Sequence, residues 1–154
     1  MQVTIAYRIT GLGWSECVIS DEKNTCTVTA SYLSDALGHL LLAATAAASL
    51  FSRITFSFEE EPGEYRWVIT SPRMNEIEVE ILEFNESWSG KPNDAGKSIF
   101  KTKCLPETFA RAVFCAAQQV LAQHGEAGYA DKWGEHPFPM LQFRELERIL
   151  GLQG

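Results

Sequence analysis

The sequence lacks the segments that would carry it into or across a membrane. Its most apolar stretch, residues 37–51, is 15 residues long and contains His39, whereas a membrane-spanning helix needs about 20 apolar residues. The N-terminus alternates apolar and polar side chains and does not show the basic and apolar regions of a signal peptide. We therefore expect a cytoplasmic protein that does not bind membranes.

Paired cysteines and clustered positive charge are also missing. The chain has no C-x-x-C pair, which excludes the usual zinc-ribbon and thioredoxin patterns. Its 13 Lys and Arg residues face 20 Asp and Glu residues, for a net charge of −7. Because phosphate binding requires clustered cations, we expect no nucleic-acid partner. Reduced, buried thiols are expected at Cys17, Cys26, Cys104 and Cys115.

No established catalytic motif is present. The sequence has no nucleophile elbow, phosphate-binding glycine loop, H-E-x-x-H or EF-hand loop. His39 lies in an apolar stretch typical of a core histidine, and His124 is expected to stabilise the carbonyls at a helix C-terminus. His136 could approach His124, but the glutamates that would complete a metal site, Glu126 or Glu135, match no established ligand spacing. We therefore expect no enzyme, no cofactor and no metal.

What the sequence does contain is a regular alternation of apolar and polar residues. With 154 residues, 45% of them hydrophobic, it is long enough for one domain over residues 1–154 that buries about 70% of its unfolded surface. Val3, Ile5 and Tyr7 alternate with polar or small residues, which predicts a strand. A three-residue loop after it would place Tyr7 opposite Cys17, with Cys26 of the third strand diagonal to Cys17.

A helix is predicted from about Asp35, and it is apolar on every side. Such a helix must lie between two layers or meet a second molecule. Its alanine-rich side, with Ala43, Ala46 and Ala47, therefore also allows a homodimer.

Further strands follow, and two helices close the chain. Pro62 and Gly63 predict a two-residue turn that places Phe58 opposite Trp67 and Glu59 opposite Arg66. The glutamates around this turn, residues 59–61 and 64, are expected to be solvated. The alternation breaks at residues 81–82, which indicates either a bulge or the end of the strand before Phe84. Helices are predicted over residues 106–123 and 141–150.

The predicted order is βββαββββαα. Consecutive hairpins favour an α+β fold, with an antiparallel sheet of about six to seven strands and helices packed on one face. The other face would then carry carboxylates with an aromatic rim, a surface suited to a basic protein partner. The side chains predicted to bind that partner are Trp14, Glu16, Glu59, Arg66, Glu78 and Glu80.

An alternative site lies in the segment 125–139, predicted to be an irregular loop between the last two helices. Its side chains Tyr129, Trp133 and His136 could close the end of the core. They could instead form the wall of a pocket for a small molecule, in a binding module or an unrecognised enzyme.

Four segments of the chain resemble a group of small uncharacterised bacterial proteins. They are residues 13–17 (GWSEC), 31–37 (SYLSDAL), 61–67 (EPGEYRW) and 125–139, with Tyr129, Trp133 and a Pro-Phe-Pro run. The resemblance implies no activity. Because the chain is also similar in size and charge to immunity proteins of bacterial toxin systems, our leading hypothesis is a non-enzymatic interaction or accessory protein.

Overall fold

A computed structural model describes residues 2–49, 53–86, 90–134 and 136–152. The described residues form an α+β fold in the predicted order, with one additional 3₁₀ turn. The elements are β1 (Thr4–Gly11), β2 (Trp14–Ser20), β3 (Thr25–Ser31), α1 (Ala36–Ala47), β4 (Arg53–Glu59), β5 (Glu64–Arg73), β6 (Glu76–Phe84), β7 (Lys97–Cys104), α2 (Pro106–Trp133) and α3 (Met140–Ile149); the 3₁₀ turn is Asn93–Ala95.

The strands are divided between two antiparallel sheets. The first has the order β1-β2-β3 and the second the order β4-β5-β6-β7. Sequence alternation shows which face of a strand is buried, but it does not show whether two hairpins share backbone hydrogen bonds. The division into two sheets was therefore not predicted, although the α+β class and the antiparallel pairing are confirmed.

The first hairpin has the predicted pairing. Tyr7 lies opposite Cys17 and Arg8 opposite Glu16, and a bulge separates Ile9 from Gly11. Cys26 pairs with Ile19, next to the pair Cys17 and Val28, so the two cysteines are diagonal neighbours as predicted.

The predicted pairing of the Pro62-Gly63 hairpin was wrong by two residues. Phe58 lies opposite Tyr65, and Glu59 lies opposite Glu64 rather than Arg66. Four residues separate the two strands, and the Glu60 N–H donates to the Gly63 carbonyl at 2.9 Å. The turn is therefore centred on Glu61 and Pro62, one residue earlier than predicted. A two-residue shift leaves each side chain on its predicted face of the sheet, since strands alternate with a period of two.

The buried face of β6 is also as predicted. Ile77, Val79 and Ile81 are completely buried, whereas Glu78 and Glu80 lie on the opposite face. The β6–β7 register shifts between Ile81 and Leu82, which confirms the predicted bulge.

Most of helix α1 is enclosed by the rest of the chain, although Leu42 is 53% exposed. It contacts α2, α3 and β4, and Ala43 and Ala47 are buried while Ala46 is partly buried. Ala43 and Ala47 of the alanine-rich side therefore pack within the molecule. Phe51, which the sequence places at the end of this helix, lies outside the described residues.

The second long helix does not end where the sequence predicted. Gly125 has a left-handed φ of 68°, as expected of a helix-ending glycine, but helical structure resumes and continues to Trp133. The expected loop over residues 125–139 is thus half helix. The reason is tertiary: Tyr129 and Trp133 pack into the main core, which joins both sheets and all three helices.

None of the described helices combines the length and the apolar character that a membrane-spanning helix requires.

Replacing Ile77 tests the two-sided arrangement of the second sheet. We expect Ile77→Ala to lower the free energy of unfolding by about 3 kcal/mol, because it leaves a cavity in a fully buried site. The neighbouring Glu78→Ala is the control and should cost less than about 1 kcal/mol, since a part-exposed ion pair contributes little. Urea denaturation of both variants measures the difference; equal losses would contradict the assignment of faces.

Candidate protein-binding surface

The six predicted partner-binding side chains do not form one surface. Trp14 and Glu16 lie on β2 of the first sheet, whereas the other four lie on β4, β5 and β6 of the second. The prediction assumed one continuous sheet, and the division into two sheets separates these groups.

Glu59 and Arg66 are buried, which corrects the expectation that they face water. Their exposed fractions are 4% and 9%. The segment 90–96, here called the strap, covers Arg66: one guanidinium nitrogen donates to the Lys91 carbonyl at 2.6 Å and to Asn93 Oδ1 at 3.0 Å. The guanidinium also lies 3.4 Å from Glu64, which is itself buried. The expectation of solvated carboxylates near this hairpin is therefore wrong for Glu59 and Glu64.

A small apolar cluster explains why the strap settles there. Val68, Leu82 and Phe84 are buried on the outer side of the second sheet. The Arg66 guanidinium stacks 4.1 Å above the Phe84 ring. The sequence does contain a signal for this cover. Residues 82 and 84, which follow the bulge, are apolar although they lie on the face predicted to be exposed to water. Trp88, placed by the sequence in the same loop, lies outside the described residues.

Glu78 and Glu80 do lie on the outer face, but lysines of β7 offset their charge. Lys101 Nζ is 3.6 Å from the Glu78 carboxylate. Glu80 accepts a 2.7 Å hydrogen bond from the Ser98 hydroxyl and lies opposite Lys101 in the ladder. The outer face of the second sheet is therefore mixed in charge rather than acidic.

The first sheet presents a different kind of surface, at the β1–β2 turn. Three large side chains are exposed there: Leu12 by 80%, Trp14 by 40% and Tyr32 by 39%. Gly13 lies between Leu12 and Trp14 in the chain and packs against Tyr32, which follows β3: a Cβ at Gly13 would lie 3.1 Å from the Tyr32 ring. We call Leu12, Trp14 and Tyr32 the Trp14 surface.

The turn that carries the Trp14 surface is fixed to the body of the protein. Gly13 has a φ of 73°, which glycine adopts without strain. Its N–H donates a 2.6 Å hydrogen bond to the Lys132 carbonyl near the end of α2. The backbone of the turn is therefore held in place by its hydrogen bond to α2.

The rest of this outer face is polar but nearly uncharged. Arg8 and Glu16 form an ion pair at 3.0 Å across β1 and β2. Around them lie exposed or half-buried threonines, at positions 4, 10, 25, 27 and 29. Of the predicted partner-binding side chains, Trp14 and Glu16 are those on this face.

Tyr129 and Trp133 close the core, which was one of the two alternatives for this segment. Their exposed fractions are 0% and 1%. Their rings stack at 6.3 Å, and Phe138 meets Tyr129 edge-on at 5.4 Å. His136 is half buried.

Two polar atoms in this closure have no hydrogen-bond partner among the described residues. They are the Tyr129 hydroxyl and the Trp133 indole Nε1. Burial raises the pKa of Tyr129, and the nearby Asp35 carboxylate raises it further. The neighbouring Tyr7 hydroxyl does have a partner, since it donates to the Ser15 hydroxyl at 2.9 Å.

The histidines do not gather into a metal site in the described part of the chain, where no group of three potential ligands was found. His39 lies on α1, and burial lowers its pKa, while Asp35 opposes and His136 adds to this shift. His124 lies 3.4 Å from Lys132 Nζ rather than capping carbonyls. Glu135, weighed above as a ligand, lies outside the described residues.

Two surface grooves are described, and neither is lined by Tyr129, Trp133 or His136. The larger, about 590 Å³, lies among the ends of α1, α2 and α3 and the β5–β6 turn. The other, about 400 Å³, lies between β1 and α2 and is lined in part by Cys115. Cys115 is exposed, so its expected packing role is wrong, whereas the other three cysteines are buried. Burial raises the pKa of the Cys104 thiol to about 11.

Three of the sequence segments quoted above, residues 13–17, 31–37 and 125–139, meet at the Trp14 surface. Gly13 bonds to Lys132 of the segment 125–139 and contacts Tyr32 of the segment 31–37. Compared with known proteins, the chain matches no family model, no curated protein and no solved structure. The function of this surface is therefore inferred from its geometry.

Replacing Arg66 tests whether the strap depends on a buried cation. We expect Arg66→Met to lower the free energy of unfolding by about 3 kcal/mol, because it breaks the buried Arg66–Glu64 ion pair. The exposed Arg8→Met is the control and should cost less than about 1 kcal/mol. Urea denaturation measures both, and limited proteolysis should cut the strap faster in Arg66→Met. Equal stability of the two variants would show that Arg66 is not buried as described.

His39 should make the protein less stable in mild acid. Its folded pKa is lower than the ordinary value of about 6.5, because burial disfavours the charged ring. The unfolded chain then binds the proton first, so stability falls as the pH drops from about 6.5 toward the folded pKa. Urea denaturation at several pH values should show a smaller loss in His39→Gln than in the wild type. A folded pKa above 6.5 by NMR titration would contradict this.

Proposed function

We propose that this protein is a non-enzymatic interaction protein that binds a partner protein through the Trp14 surface. The proposal is supported by the exposure of Leu12, Trp14 and Tyr32 around Gly13, whose N–H bonds to the Lys132 carbonyl. Large apolar side chains exposed close together in a fold typically mark contact sites.

The rigid mounting of this surface supports the proposal. Residues that dominate the energy of protein interfaces are often tryptophan and tyrosine, held in place before binding. The Trp14 side chain is on a paired strand, opposite Ser31, and binding therefore costs little backbone entropy.

The charge of the whole chain favours a basic partner. At a net charge of −7, the protein attracts cations at long range and accelerates their encounter. The charged side chains beside Trp14 are paired with each other. We therefore expect the net charge to accelerate the encounter with the partner, and the aromatic side chains to provide the binding energy. Four free thiols support action in the reducing cytoplasm. An immunity or accessory role is consistent with this size and charge.

The small-molecule alternative has less support. The side chains Tyr129 and Trp133 are packed together, and Phe138 packs against Tyr129. Among the described residues, a small-molecule site is then supported by the unpaired Tyr129 hydroxyl and Trp133 Nε1 alone. Buried polar atoms of this kind are commonly satisfied by an internal water molecule.

Affinity capture with matched variants tests the proposed surface. Tagged wild-type protein, Trp14→Ala and Met74→Ala are used to capture proteins from a source cell extract at low and high salt. Met74 is the control because it is apolar and 89% exposed but lies on the β5–β6 turn. The partner should be retained by wild type and Met74→Ala, and lost from Trp14→Ala.

Titration of the identified partner then gives the size of the effect. A central tryptophan contributes about 2 kcal/mol or more, so Trp14→Ala should weaken binding about 30-fold. The association rate should fall with added salt if the partner is basic. The proposal is wrong if Trp14→Ala captures the same proteins with unchanged affinity while remaining folded.

A further inference from the structure

The first strand is an edge of the sheet that carries the Trp14 surface. Among the described residues, β1 pairs with β2 and with no other strand. Half of the backbone N–H and C=O groups of an edge strand point away from its neighbour and remain able to pair with another chain.

The β1 edge lacks two of the features that usually block such pairing, proline and unpaired charge. β7, an edge of the other sheet, carries exposed lysines at positions 97, 101 and 103, and the remaining edges β3 and β4 contact each other. In contrast, β1 has no proline and a single charged side chain, Arg8, which is paired with Glu16. Evolved proteins commonly use charge, proline or cover to protect edges. At β1 the first two are missing, and α2 packs against the strand.

A groove runs beside this edge. Its volume is about 400 Å³, and it lies between residues 2–5 and the side chains Thr108, Arg111, Ala112 and Cys115 of α2. That volume falls within the roughly 300–1,000 Å³ of typical binding pockets. Arg111 is the cation that lines this groove, and its charge is offset by Glu107, which lies 3.0 Å away. Where a strand placed beside β1 passes residues 2–5, its alternate side chains would therefore enter a mainly uncharged groove.

We propose that the β1 edge binds an extended segment of another protein by strand addition, with small apolar side chains at alternate positions entering the groove beside α2. Backbone hydrogen bonds to β1 provide affinity, and the groove selects the alternate side chains. The inference does not depend on the Trp14 surface, although the two sites are joined by residues 11–14 and one partner could contact both.

A second copy of this chain fits the site less well. In a symmetric β1–β1 pairing, the side chains directed to the groove side would be Val3, Ile5 and Tyr7 of the other copy. These are buried in their own core, with exposed fractions of 5%, 8% and 5%, and cannot also fill the groove. An extended segment of another protein, with one row of side chains not buried in a core of its own, can fill the groove. We therefore assign the site to such a segment.

The test uses a synthetic heptapeptide of alternating threonine and valine, with capped ends and two added lysines for solubility. Two further peptides carry N-methyl groups on the valines only or on the threonines only. Strand addition uses the N–H groups of one edge of the peptide, so one methylated form should bind like the parent and the other should not bind. Binding is followed by fluorescence anisotropy, and amide exchange by NMR should show new protection in β1.

Two changes to the protein locate the site. Cys115 is the exposed cysteine of the four, so N-ethylmaleimide should modify it alone and abolish binding by filling the groove. Ala6→Lys on the edge should weaken binding about fivefold or more, since it adds a charge of the kind that protects edges. Thr27→Lys is the matched control: it adds the same charge on the same face of β3, two strands away, and should bind normally.

No binding of the parent peptide at millimolar concentration would overturn the proposal. Equal binding of both methylated peptides, or binding that survives modification of Cys115, would also overturn it. Self-association of the protein blocked by Ala6→Lys would show instead that the edge pairs with a second copy. None of these results depends on Trp14, so failure here and failure of the Trp14 surface are distinguishable.

Discussion

The rest of the structure depends on the enclosure of α1. This helix is apolar on every side, and Leu37, Leu40 and Leu41 have no exposed surface. Each such side chain contributes about 1.5–3 kcal/mol when it is removed from water. No single sheet face could cover the helix all round, so α2 and α3 must lie on the side that the strands leave open.

The position of α2 then decides how the Trp14 surface is presented. Because helical structure resumes after Gly125, the end of α2 reaches the β1–β2 turn, where Lys132 accepts the Gly13 N–H. The same continuation brings Tyr129 and Trp133 into the core. The helical segment that follows Gly125 therefore closes the core. It also fixes the β1–β2 turn, which would otherwise be a free hairpin end.

Local patterns in the sequence predicted local structure well. The in-and-out alternation of β1, β2 and β6 follows from the period of two, and a change of two residues in the Pro62-Gly63 loop does not disturb it. Features that depend on distant contacts were not predictable in this way. The burial of Arg66 needs the strap that arrives 25 residues later in the chain, and the charge of Glu78 and Glu80 is offset by lysines of a strand whose neighbours were unknown. Trp14 was identified as an anchor from the sequence, but its grouping with Leu12 and Tyr32 requires the fold.

The Trp14 surface therefore depends on a turn that the helical layer holds rigid. Native-state amide exchange of the free protein, followed by NMR, tests this most directly. The Gly13 amide should exchange slowly, through the same large-scale opening that exposes the amides of α1, because its hydrogen bond ends on α2. Exchange of Gly13 at the rate of an exposed loop, while α1 stays protected, would show that the turn is free and that the Trp14 surface is not preorganised.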